Sequence, residues 1–155
     1  LAPGMPMARF YLLLFLFFHS AALLAQSLIL AEQEASSRYV AKIELHTADE
    51  LMSSLRRAEM LQREGAFKVG EDTPIAFVLH GSEAKALLLD RYADNRALVD
   101  LAARLTAFKV VDIKVCETWM GSKALDSSRL PPFIGTVPYG PAEEKRLLKQ
   151  RYVYF

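Results

Sequence analysis

A single cysteine, three histidines and a net charge near zero close off several kinds of chemistry to this 155-residue chain. With 19 basic and 18 acidic residues the net charge is +1, so no whole-chain field draws it to nucleic acid or to an anionic membrane surface. It has no CxxC or HExxH spacing, which removes the common zinc frameworks. It also lacks a GxGxxG or GxxxxGKS/T loop that could cradle phosphates. Neither a metal nor an organic cofactor is expected. One cysteine cannot close an internal disulfide. It has to be buried, paired with another chain, or kept as a reactive thiol.

What is present is ample apolar material, 52% of the chain, which is enough for one sizeable core. The first 25 residues differ from the rest. Arg9 precedes an unbroken apolar run from Phe10 to Phe18, and Ala21-Ala22-Leu23-Leu24-Ala25 supplies small residues before Gln26. This is the layout of a secretory signal peptide over 1–25, with translation starting at Met5 or Met7 and cleavage after Ala25. The mature protein is then periplasmic or secreted, with no stable membrane anchoring. The alternative is an uncleaved anchor. However, His19 and Ser20 interrupt a run already shorter than the roughly 20 apolar residues a spanning helix needs. Residues 26–38 are polar and read as a linker, and 39–155 as one domain.

Within that domain, strand and helix patterns alternate. Tyr39 to Leu45 predicts a first strand closed by His46. Thr47-Ala48-Asp49-Glu50 has the form of a capping box, in which hydroxyl and carboxylate satisfy orphan amides at a helix start. Leu51, Met52, Leu55, Ala58 and Leu61 give that helix one apolar face, and Gly65 is its stop. Ile75 to Leu79 is a short continuous apolar run, the mark of a strand covered on both faces, followed by His80-Gly81-Ser82. Gly81 suits a backbone turn. A short helical turn over Ala84 to Leu89 and a helix after Asp94 lead to the β-branched strand Val110 to Val115. A helix over Glu117 to Leu125, a short strand Ile134 to Val137, a last helix opened by Pro141 and a closing strand Tyr152 to Phe155 complete the pattern. Such alternation implies right-handed crossovers and a three-layer α/β/α fold with a mainly parallel five-stranded sheet.

This arrangement gives Cys116 its interest. It ends the Val110 strand at the carboxyl edge, where open α/β sheets form their ligand crevice, and stands just before a helix start whose amides favour a thiolate. Glu117 opposes that effect. His46 and His80 end the two preceding strands, so neighbouring strands place His46, His80 and Cys116 on one rim.

These residues resemble the DsrE/DsrF-like sulfur-relay family, in particular its small exported members. The resemblance is carried by Phe77-Val78-Leu79-His80-Gly81, by Val115-Cys116-Glu117-Thr118-Trp119-Met120, by Val137-Pro138-Tyr139-Gly140 and by Lys149-Gln150-Arg151-Tyr152-Val153-Tyr154. It covers most of 39–155. Arg151 stands where the family's ending usually has Gly. The resemblance implies a trimer or hexamer, a sulfur donor or acceptor protein as partner, and a persulfide carried on Cys116.

Two function classes follow. In the first the chain is a sulfur carrier or sulfurtransferase, with Cys116 and His80 as candidate catalytic residues and His46 a weaker one. In the second it is a non-catalytic oligomeric binding protein with a structural Cys116, in which Trp119, Tyr139, Tyr152 and Tyr154 are contact residues. A metal held by His46, His80 and Cys116 is a thinner third possibility.

Overall fold

The computed structural model describes residues 38–66 and 73–155. The expected signal peptide over 1–25, its alternative as an anchor, and all of the expected linker except Arg38 lie outside the described residues. Among the described residues, no helix is long and apolar enough to cross a membrane.

Five parallel strands form one sheet: β1 (Tyr39–Val40), β2 (Ile75–Leu79), β3 (Val111–Cys116), β4 (Gly135–Val137) and β5 (Val153–Tyr154). Their spatial order is β4-β3-β2-β1-β5. Four helices join them: α1 (Ala48–Arg63), α2 (Tyr92–Ala107), α3 (Glu117–Ser122) and α4 (Gly140–Lys149), with 3₁₀ turns at Ser82–Leu87, Leu89–Arg91 and Ser127–Arg129. This is the three-layer α/β/α architecture that the sequence predicts.

The two faces of the sheet are unequal. Alternate residues of β2 and β3 (Ile75, Phe77, Leu79, Val111, Ile113 and Val115) point into the larger core, where they meet Leu51, Leu55 and Ala58 of α1 and Leu98, Leu101, Ala102 and Leu105 of α2. The opposite face carries a small cluster of Val40, Ala76, Val78 and Val137 beneath Leu147 of α4. All five residues of β2 are buried, as its unbroken apolar run requires. On β3 the outward alternates are Asp112 and Lys114. The α4 face there is a polar cleft of about 210 Å³ that also includes Glu143, Arg146 and Gln150.

Several elements differ from expectation, each for a local reason. β1 stops at Val40 rather than Leu45, because the carboxylate of Glu50 gathers the backbone N–H groups of Glu44 (2.7 Å), Leu45 (2.8 Å) and His46 (2.9 Å) and pulls them out of any ladder. Thr47 caps α1 as predicted, its Oγ1 accepting the Glu50 N–H at 3.2 Å, but the reciprocal arm of the box reaches further back than the cap residue. Helix α2 begins at Tyr92 with a break at Asn95, whose side chain donates to the Arg91 carbonyl. Helix α3 ends at Ser122 instead of Leu125, and a left-handed Ala124 turns the chain away.

Candidate functional site

The order of the strands decides where a site can form. The chain passes from β1 through β2 and β3 to β4 by elements packed on the larger core, and then returns through α4 on the other face to β5. The connections leaving β3 and β4 therefore diverge to opposite faces, and Cys116 pairs in register with Val137 at that divergence. This is the switch point at which open α/β sheets form a crevice.

Cys116 occupies this point as the cap residue of α3. Its Sγ accepts the Trp119 N–H at 3.4 Å, and the residue is 2% exposed. Thr118 ties the two diverging segments together, donating from Oγ1 (2.7 Å) and from its N–H (3.2 Å) to the carbonyl of Pro138. Glu117 turns aside to β4, where its Oε1 accepts the Thr136 hydroxyl at 2.6 Å. Gly140, the first residue of α4, lies against both Cys116 and His80. A Cβ added there would come within 3.2 Å of the Cys116 Cβ and 3.0 Å of the His80 Cβ. A side chain at this position would push the neighbouring segments apart by a few tenths of an ångström.

The three residues expected on one rim are brought together there. The His46 and His80 rings lie 4.9 Å apart at an interplanar angle of 57°, and His80 continues across Gly140 to Cys116. His80 Nε2 approaches Glu144 Oε2 of α4 at 4.0 Å. His46 takes a left-handed backbone, φ 53°, held by Glu50 through its N–H. Among the described residues, no three His, Cys, Asp or Glu side chains are placed to share a metal ion.

Glu83 is the residue that sequence reasoning missed. It is 0% exposed, the sole buried charged residue among those described. Its Oε1 accepts the backbone N–H groups of His80 (3.1 Å) and Gly81 (3.0 Å), while Oε2 lies in hydrogen-bond contact with His46 Nδ1 at 2.9 Å. Burial of a carboxylate is tolerable only with such a set of donors. The only local signal was its place in the first turn after His80-Gly81, a position that suits many surface glutamates equally well. Gly81 also needs a correction. Its φ is −142°, ordinary extended backbone, so no turn requires glycine there. What requires it is space, because a Cβ would stand 2.4 Å from the His46 ring and 2.6 Å from Glu83 Oε2.

The candidate contact aromatics are dispersed. Tyr139 is exposed beside Gly140, Trp119 packs against the larger core, Tyr152 packs against the smaller one, and Tyr154 donates from its hydroxyl to Glu144 Oε1 at 2.6 Å. That hydrogen bond raises the Tyr154 phenol above its ordinary range.

No known protein family matches the chain, and no curated protein does so either. Among solved structures it is similar to a protein of unknown function from Methanobacterium thermoautotrophicum, with 15% sequence identity, 76% of this chain and 93% of that chain covered, and a TM-score of 0.50. At that identity the likeness is one of fold.

Proposed function

We propose that the chain is a sulfur carrier of the DsrE/DsrF-like kind, with Cys116 accepting sulfane sulfur and passing it to a partner thiol. The observation that supports this best is the placement of the one cysteine at the switch point of the sheet, beside His80 and against a glycine. Loading is a thiol exchange. The Cys116 thiolate attacks the terminal sulfur of a donor persulfide, its Sγ–S bond forms, the donor's S–S bond breaks, and the donor leaves as a thiolate. One cysteine suffices, since donor and acceptor each bring their own sulfur. His80, 28% exposed at its side chain, is the candidate to stabilise the thiolate. The carrier is exported after cleavage of 1–25 and assembles as a trimer or hexamer.

A second reading is favoured by one specific observation, the 2% exposure of Cys116. Here the cysteine is a small core residue and the rim belongs to a non-catalytic oligomeric binding protein. For the carrier reading the same burial means that the segments around Cys116 must open before sulfur arrives. Alkylation of the folded protein by iodoacetamide, with mass spectrometry before and after polysulfide, separates the two. Labelling without denaturant, together with a one-sulfur mass gain absent from Cys116→Ser, is the carrier's result. Labelling only after denaturation, with no mass gain, assigns the binding role.

A further inference from the structure

The buried carboxylate of Glu83 dictates the chemistry of a neighbour. An ionised carboxylate can only accept hydrogen bonds, so the 2.9 Å contact from Oε2 to His46 Nδ1 places the proton of a neutral imidazole on Nδ1 and leaves Nε2 as a lone-pair acceptor. That Nε2 has no hydrogen-bond partner among the described residues, and the His46 side chain is 31% exposed. Two further restraints hold the ring in place: the three amides over 44–46 bound by Glu50, and the close approach of Gly81 beneath it. A carboxylate and an imidazole in this relation form the orienting half of many acid–base sites.

We propose that His46 is the proton acceptor of the rim, with its tautomer set by Glu83 as a positioning residue, and that it serves the acceptor thiol arriving to collect sulfur from Cys116. The proposal rests on the carrier reading. In the delivery step the acceptor thiol gives its proton to His46 Nε2 as its sulfur attacks the outer sulfur of the Cys116 hydropersulfide. A new S–S bond forms, the Cys116 Sγ–S bond breaks, and Cys116 leaves with the electron pair as a thiolate. The sulfane sulfur keeps its oxidation level, so no oxidant or reductant is needed. The charged and titratable groups that face His46 are Glu83 from the 3₁₀ turn, His80 from the end of β2 and Glu50 from α1, with Glu144 of α4 one step beyond, against His80.

The test uses Glu83→Gln. The glutamine oxygen can still accept from His80 and Gly81, but its amide group then faces His46 Nδ1 and donates, so the ring must carry its proton on Nε2. Long-range nitrogen–proton NMR of the labelled folded protein is expected to show an Nδ1–H tautomer for His46 in the wild type and an Nε2–H tautomer in the variant. Sulfur-loaded protein is then given N-acetylcysteine, and the loss of mass from Cys116 is followed per loaded sulfur. Glu83→Gln and His46→Asn should both deliver about tenfold more slowly or worse. Asn tolerates the left-handed backbone at position 46 and leaves Glu83 in place, so it carries the delivery test even if Glu83→Gln does not fold. The same tautomer in both proteins, or wild-type delivery rates in both variants, overturns the proposal. Failure of the wild type to take up any sulfur is a different result. It removes the carrier reading and the thiol role of His46 together, while the NMR comparison still decides whether Glu83 sets the ring.

Discussion

Glu83 holds the rim together through three hydrogen bonds, and Gly81 is the residue that leaves room for them. Gly81→Ala should therefore act at a distance from its own backbone. With a Cβ 2.4 Å from the His46 ring, the imidazole has to leave Glu83, and the buried carboxylate loses one of its donors. A cost of about 1–3 kcal/mol is expected, the range for an under-satisfied buried polar group. Urea unfolding measures it, and the ring resonances of His46 should move at the same time. An unchanged His46 spectrum in a destabilised variant would show that the cost arises elsewhere. His80 and Cys116 were legible in the sequence as strand-end residues, while His46 reaches the same rim from the loop after β1. The carboxylate that organises them was not, because burial of a glutamate depends on what three separate segments bring to it.

The four described helices close in related ways, with the second residue after the helix in the left-handed region: Gly65 after α1, Lys109 after α2, Ala124 after α3 and Arg151 after α4. At each, paired backbone bonds complete the turn, as in Ala66 N–H to Leu61 O (3.0 Å) with Gly65 N–H to Gln62 O (3.1 Å), and Tyr152 N–H to Leu147 O (3.2 Å) with Arg151 N–H to Leu148 O (3.1 Å). Only the first ending uses the residue that adopts this conformation without steric cost. Lys109→Gly, Ala124→Gly and Arg151→Gly are each expected to stabilise the fold by about 0.5–1 kcal/mol, the left-handed penalty of a side chain less the entropy that glycine loses. Gly65→Ala should cost a similar amount. Thermal unfolding of the four single variants checks the set, and destabilisation by the three glycines would refute it. Gly65 could be read from the sequence as a stop. The other three could not, since lysine, alanine and arginine are ordinary helix residues that give no local signal of an ending.

Across the whole molecule the unequal coverage of the sheet matters most. Two long helices and the larger core seal one face, whereas on the other the polar cleft lies beside α4, with Glu143 accepting from both arms of Arg146 at 2.7 Å and forming a looser ion pair with Lys114 at 3.9 Å. The hydrogen bond from Arg146, and after it the charges of Arg146 and Lys114, hold the Glu143 carboxyl below its ordinary range despite its partial burial. A depressed acid contributes stability above its unfolded-state value and loses it as pH falls through the folded value. Because Arg146 is half exposed, the contribution is modest, under about 1 kcal/mol. Glu143→Gln should flatten the acid limb of stability against pH by that amount, as read from urea midpoints on either side of the glutamate range. An unchanged slope would mean that the pair is solvated and neutral in effect.

The class of fold follows from local pattern alone, because the apolar run of β2, the alternation along β3 and the amphipathic faces of α1 and α2 fit one kind of layered packing. Local pattern also placed His80 and Cys116 at the ends of neighbouring strands, whereas His46, expected to close β1, lies beyond it in the loop that Glu50 holds. Tertiary structure alone decided the rest: that β4 and β3 send their connections to opposite faces, that Gly140 and Gly81 are spaces for other residues' side chains, and that Glu83 is buried at the centre of the rim. The physical reason is the same in each case. Periodicity records which way a side chain faces along its own element, whereas contacts between segments far apart in the chain depend on the order in which the strands assemble, and no residue carries that order locally.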